Sequence, residues 1–170
     1  MDGPLEKLNK ISWWVELIVK IAMVLLALAI FAVCVMMAVA AFDPDLLLNN
    51  IPELNTVGEV MVFGAMLIMM IILALVILYY IHHLFMSIRR NNTPFTDESV
   101  KDLKTIAILM LVCAIVTPIV SGAVVYALDI GTAARIDFNP FTLFVAFMVY
   151  VLSLVFSYGT ALQKESDELL

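Results

Sequence analysis

His82 and His83 are the two histidines of the chain and stand side by side, so metal ligation or proton transfer is the first chemistry to weigh. On a helix, neighbouring residues point about 100° apart, and paired ligands of one metal prefer a spacing of four. The pair is therefore read as two interfacial aromatics near the lipid headgroups. Met61, Met66, Met69 and Met70 resemble a soft-metal ladder, and the last three share a helical face. With no Cys or His at the same depth, they read as packing residues. Cys34 and Cys113 fall near the middle of apolar runs without a CxxC partner, so a redox or metal role is not expected. Glu59 and Lys20 lie at the ends of such runs, which leaves no carboxylate at mid-bilayer to couple ions or protons. A catalytic triad, a phosphate-binding glycine loop and paired catalytic carboxylates are also missing. The expectation is a non-enzyme with no catalytic, cofactor or metal site.

The elements that position these residues are four uncharged apolar runs, Ile21–Phe42, Val60–Ile81, Thr105–Leu128 and Phe138–Leu162, of 22, 22, 24 and 25 residues. As helices they reach roughly 33–37 Å, against about 30 Å of bilayer hydrocarbon. With 64% hydrophobic and 14% charged residues, the chain is too apolar for a water-soluble domain, where about a quarter of residues are charged. The reading is an all-α integral membrane four-helix bundle, one domain over 1–170 with spans near 16–42, 58–90, 97–128 and 138–165. The first run has a basic flank and an Ala38-Val39-Ala40 resembling a cleavage site, but it is longer than the roughly 7–15 residues of a signal peptide. It is read as an uncleaved span. The net charge of −6 and scattered basic residues argue against direct nucleic-acid binding.

Lys7, Lys10, Lys20, Arg89, Arg90, Lys101, Lys104 and Lys164 flank one side of the spans, and Arg135 alone flanks the other. By the positive-inside rule both termini and the middle loop are cytoplasmic, in a multi-pass protein of the cell membrane. Leu5–Lys20 is expected to be a short amphipathic extension that runs from the inner surface into span one, with Trp13 and Trp14 at headgroup level and Glu16 paired to Lys20. Asp43–Glu59, acidic and broken by Pro52, is expected to lie on the outer surface or cap the bundle. Asp129–Asp137 should close spans three and four into a hairpin. Asn91-Asn92-Thr93-Pro94 ends span two, and Thr96 can cap the next helix with Asp97 and Glu98 in its first turn. The Asn91 sequon is set aside because of Pro94 and the inside location. Ala107, Ala114 and Ser121 on span three, and Ala146, Ser153, Ser157 and Ala161 on span four, form small-residue stripes. Such stripes let backbones approach closely in lipid. Spans three and four are accordingly expected to pair most tightly, with Ala114 and Ser121 facing Ser153 and Ser157. Thr117-Pro118 should kink span three.

Thr93-Pro94-Phe95-Thr96-Asp97-Glu98-Ser99 through Lys104 is similar to a "PFT-x-E-N-x-x-x-L" block. Phe156 through Leu169 is similar to an "F-x-x-G-x-x-L-Q-x-E-N-D-x-T-x" ending, with Ser99 and Ser166 in place of asparagine and Glu168 in place of threonine. Together with the four-span layout, these blocks resemble the YoaS-like family of small prokaryotic membrane proteins of unknown function. The resemblance implies a neighbouring helix-turn-helix regulator, and hence a membrane-bound sensor or sequestering partner. The two blocks should meet, with Phe95 buried beneath the tail and Lys101 and Lys104 reaching Glu165 and Asp167. Arg89, Arg90, Phe95, Lys101, Lys104, Gln163, Lys164, Glu165 and Asp167 form the expected partner surface. An oligomeric pore or small-molecule carrier is the alternative, with Thr117, Ser121, Ser153, Ser157 and Tyr158 as its polar path; a homo-oligomer is compatible with either.

Overall fold

The computed structural model describes residues 4–44, 56–129 and 136–168. Four helices make up the fold: α1 (Pro4–Phe42), α2 (Val57–Asn91), α3 (Asp97–Leu128) and α4 (Pro140–Glu168). The described residues contain no strand. All four helices are long and apolar enough to cross a membrane. The expected placement of Pro52, Arg135, and the Lys7 and Asp167 side chains lies outside what is described.

Local chemistry sets the helix ends. Thr56 accepts the Glu59 amide at 3.2 Å while the Glu59 carboxylate accepts the Thr56 amide at 3.3 Å, a reciprocal cap at the start of α2. Asn92, at φ 52°, stops α2 in the left-handed conformation that asparagine tolerates. Thr96 then caps α3 by accepting the Ser99 amide at 3.1 Å, with Asp97 and Glu98 at the positive end of the helix dipole. Asn139 accepts the Phe141 amide at 2.9 Å ahead of α4, whose first residue is Pro140.

Helices that follow one another in the chain pack together: α1 on α2, α2 on α3, α3 on α4. No other pair among the described residues packs to a comparable extent, so among the helices α2 is the main support of α1. The α1–α2 interface is as extensive as that of α3 with α4. The reason is a close approach near the far end, where Val60 is fully buried against Ala40 and Gly64 leaves room for Met37.

The distribution of side chains is inverted relative to a soluble protein. Large apolar residues such as Phe31, Phe42, Tyr126, Phe141 and Phe147 are exposed, while Ser12, Glu16, Ser99, Asp102, Ser121 and Ser153 are buried. A water-soluble fold does the reverse. With lipid outside, apolar side chains gain nothing by turning inward, so contacts are made by small and polar residues. The same holds within the N-terminal part of α1: Ile11, Trp13, Trp14, Leu17 and Ile18 are exposed, and Ser12, Glu16 and Val19 face α2.

Ala114, Ser121 and Ser153 are buried and Ser157 is exposed. Ser121 does not reach across to a serine of α4. Its hydroxyl receives the Ile136 amide at 3.0 Å and faces the Pro118 and Ile136 carbonyls. Thr160, seven residues beyond Ser153, takes the buried place expected of Ser157.

Candidate functional site

The end of the bundle that carries the α2–α3 turn, the start of α1 and the end of α4, here the polar end, holds a series of ion pairs. Glu16 is 6% exposed. Lys20 Nζ donates to its Oε1 at 2.8 Å, and His82 Nε2 lies 3.5 Å from the same oxygen. Arg89 Nη1 is 2.8 Å from Oε2, within ion-pair range but off the hydrogen-bonding line. One turn earlier on the same face of α1, the buried Ser12 hydroxyl has no hydrogen-bond partner. Because α2 is the main support of α1, Glu16 is screened by its own partners more than by depth of protein.

On its other side α2 engages α3. His83 Nδ1 donates to Asp102 Oδ2 at 2.6 Å, and the Asp102 side chain is 7% exposed. Glu98 Oε2 accepts the Ser87 hydroxyl and Arg90 Nη2, each at 2.9 Å, and Asn91 Nδ2 donates on to Ser87 Oγ at 3.2 Å. Leu84, Ile88 and Leu103 form the apolar cluster beneath, with Phe85, Val149 and Phe156 against it. Adjacent histidines thus face different helices. The 100° between them that argues against one shared metal lets α2 reach both neighbours. They are not merely interfacial aromatics.

The third contact joins the turn to the end of α4. The Phe95 and Phe156 rings stand 5.5 Å apart, and a Cβ on Gly159 would overlap the edge of the Phe95 ring. Thr93 donates to Gln163 Oε1 at 3.2 Å, and Lys164 Nζ donates to both Asp97 oxygens at 2.9 and 3.1 Å. The two sequence blocks meet. Two details differ from expectation: Phe95 is exposed, although its ring touches Phe156, and the ion pair across the blocks is Lys164 with Asp97 in place of Lys101 or Lys104 with Glu165 or Asp167. Lys101 instead lines a groove of about 320 Å³ with Tyr79, Tyr80, His83, Glu98 and Asp102.

Of the residues read as a polar path, Thr117, Ser121 and Ser153 are buried, and Ser157 and Tyr158 are exposed. Ser121 bonds the hairpin backbone, and Ser153 donates to the Tyr150 carbonyl at 2.6 Å. A groove of about 620 Å³ along α3 and α4 is lined by apolar and aromatic side chains such as Ile108, Leu111, Phe144 and Tyr150. Met66 is buried while Met69 and Met70 are exposed, so the three do not share one environment.

Asp102, Glu98, Ser87 and the burial of Glu16 are absent from the sequence reading as site residues. A signal existed. Ser99, Asp102, Ile106, Ala114, Thr117 and Ser121 lie at helical spacing on one buried stripe of α3, and a carboxylate on such a stripe needs a partner. Ser12, Glu16 and Val19 repeat the pattern on α1.

No curated protein and no solved structure matches the chain. A family model described as a protein of unknown function, DUF2975, matches residues 49–169, which takes in α2, α3, α4 and the contacts among them and leaves α1 outside. By that match, this multi-pass helical membrane protein belongs to the DUF2975 family.

Proposed function

We propose that the chain is a non-enzymatic membrane protein whose polar end faces the cytoplasm and docks a regulatory protein, the helix-turn-helix regulator that the YoaS-like resemblance implies. The observation that carries the reading is the seam of Phe95, Phe156, Gly159, Gln163 and Lys164. It joins the turn before α3 to the end of α4 and makes one surface of two distant sequence blocks. Around it, Arg90, Lys101, Lys104 and Glu165 supply the mixed charges that steer and select a partner. The eight-to-one distribution of basic residues supports the cytoplasmic placement.

Gly159→Ala is the informative variant. The added methyl forces the Phe95 ring to move, leaving the α1–α2 half untouched. A small helix-turn-helix protein should co-purify with the wild-type chain from native membranes and drop several-fold with Gly159→Ala. Equal recovery with both, or none with either, removes the reading. Orientation has its own check: with Cys34 and Cys113 replaced, a cysteine at position 92 should resist labelling from outside intact cells.

A further inference from the structure

We propose that His83 and Asp102 form a proton-operated clamp between α2 and α3, and that His82, though adjacent, takes no part in it. The inference does not rest on the docking reading, because it concerns how two helices of this chain hold each other.

The two histidines meet carboxylates of similar burial but unequal company. Glu16 on α1 has two permanent cations, Lys20 and Arg89, each 2.8 Å away, and His82 stands third at 3.5 Å. A proton on His82 adds a surplus charge to a site already neutralised, and its loss leaves Glu16 still paired. Asp102 is different. Among the described residues its only ion-pair partner is His83, at 2.6 Å. A carboxylate taken out of water needs a counter-charge or full hydrogen bonding to remain ionised at modest cost.

The other groups facing His83 do not substitute for that charge. On α2, Tyr79 stacks on the imidazole at 6.4 Å and Tyr80 lines the same groove. On α3, Glu98 is committed to Ser87 and Arg90, and Lys101 lines the groove without coming within ion-pair distance of Asp102. From α1, Glu16, Lys20 and the α2 residue Arg89 form their own cluster around His82. From α4, Lys164 is paired with Asp97.

The direction follows. Imidazole gains its charge as pH falls through about 8 to 5. A second proton on His83 turns a neutral donor into a charged one, and a charge-assisted bond is roughly twice as strong. The clamp closes on acidification and slackens when His83 is neutral and the Asp102 charge has only a neutral donor.

The test is thermal unfolding of the full chain in lipid nanodiscs at about pH 5.5 and about pH 8. Wild type and His82→Gln should both melt several degrees higher at the lower pH. His83→Gln should lose that difference. Asp102→Asn keeps the shape and removes the buried charge, so it too should be flat, and it keeps the test alive if His83→Gln does not fold. A flat wild-type profile overturns the proposal, as does a slope in His83→Gln or Asp102→Asn equal to wild type, or a slope lost in His82→Gln.

Discussion

Where α2 meets α1, one carboxylate is surrounded by three basic side chains; where it meets α3, one carboxylate has a single histidine and sits above an apolar cluster. The first junction lies largely outside the stretch matched by the family model, and the second lies within it. The α2–α3 junction combines apolar burial, a helix cap and paired polar groups, and α4 adds Val149 and Phe156 to the same cluster. The α1–α2 junction at this end has Val19, a crowded Glu16 and an unpartnered serine. Ionic redundancy around one carboxylate holds α1; apolar packing with separate one-to-one ion pairs holds the other three. Removing one partner should therefore be tolerated at the first junction and not at the second.

The largest effect should come from Leu103→Ala. Leu103 is buried between α2 and α4 side chains, and emptying such a site costs about 2–5 kcal/mol. Val19→Ala on the α1 side removes less volume from a place where α2 is the main neighbouring helix, and should cost clearly less. Denaturant unfolding in mixed micelles compares the two, and equal losses would erase the distinction between the junctions.

Next in size is Glu16→Gln. It leaves Arg89 and Lys20 without their shared counter-ion, but both are about half exposed and can rehydrate. The expected cost is about 1–3 kcal/mol, below that of a deeply buried pair. Lys20→Gln or Arg89→Gln alone should cost about 0–1 kcal/mol, because the remaining cation still neutralises Glu16. In a double-mutant cycle the pair should then lose more than the sum of the single changes. Strict additivity would mean that the two cations do not stand in for each other.

Much of this architecture is legible in the sequence, and the illegible part has a physical cause. Run length and charge-free composition give the four helices, and Thr96, Asn92 and Pro94 mark the turn because capping is a local matter. Pairing is not local. Nothing in His82-His83 says that one ring faces Glu16 and the other Asp102, since that depends on the rotation of α2 against two neighbours. The seam between the blocks is foreseen, but its ion pair is misassigned, because Lys101 rotates toward α2 and leaves Asp97 to meet Lys164. Ser157 is misread for the same reason: a stripe drawn at spacings of four drifts off the face that Ser153 and Thr160 hold at a spacing of seven.

The smallest expected effect has the opposite sign and separates two accounts of the α1–α2 junction. The Ser12 hydroxyl is 1% exposed and lacks a hydrogen-bond partner. A buried polar group with nothing to bond loses its hydration without return, at a cost of about 1–3 kcal/mol. Ser12→Ala keeps the close approach of α1 to α2 and deletes only the orphan oxygen, so it should stabilise the chain by about 1 kcal/mol. The gain should persist in Glu16→Gln, because Ser12 takes no part in the ionic cluster as the structure draws it. If Ser12→Ala instead destabilises the protein, and does so only while Glu16 is present, the hydroxyl is bonded to that cluster through a bridging water. The α1–α2 junction would then be as fully satisfied as its neighbour, and the contrast between them would reduce to the number of charges each contains.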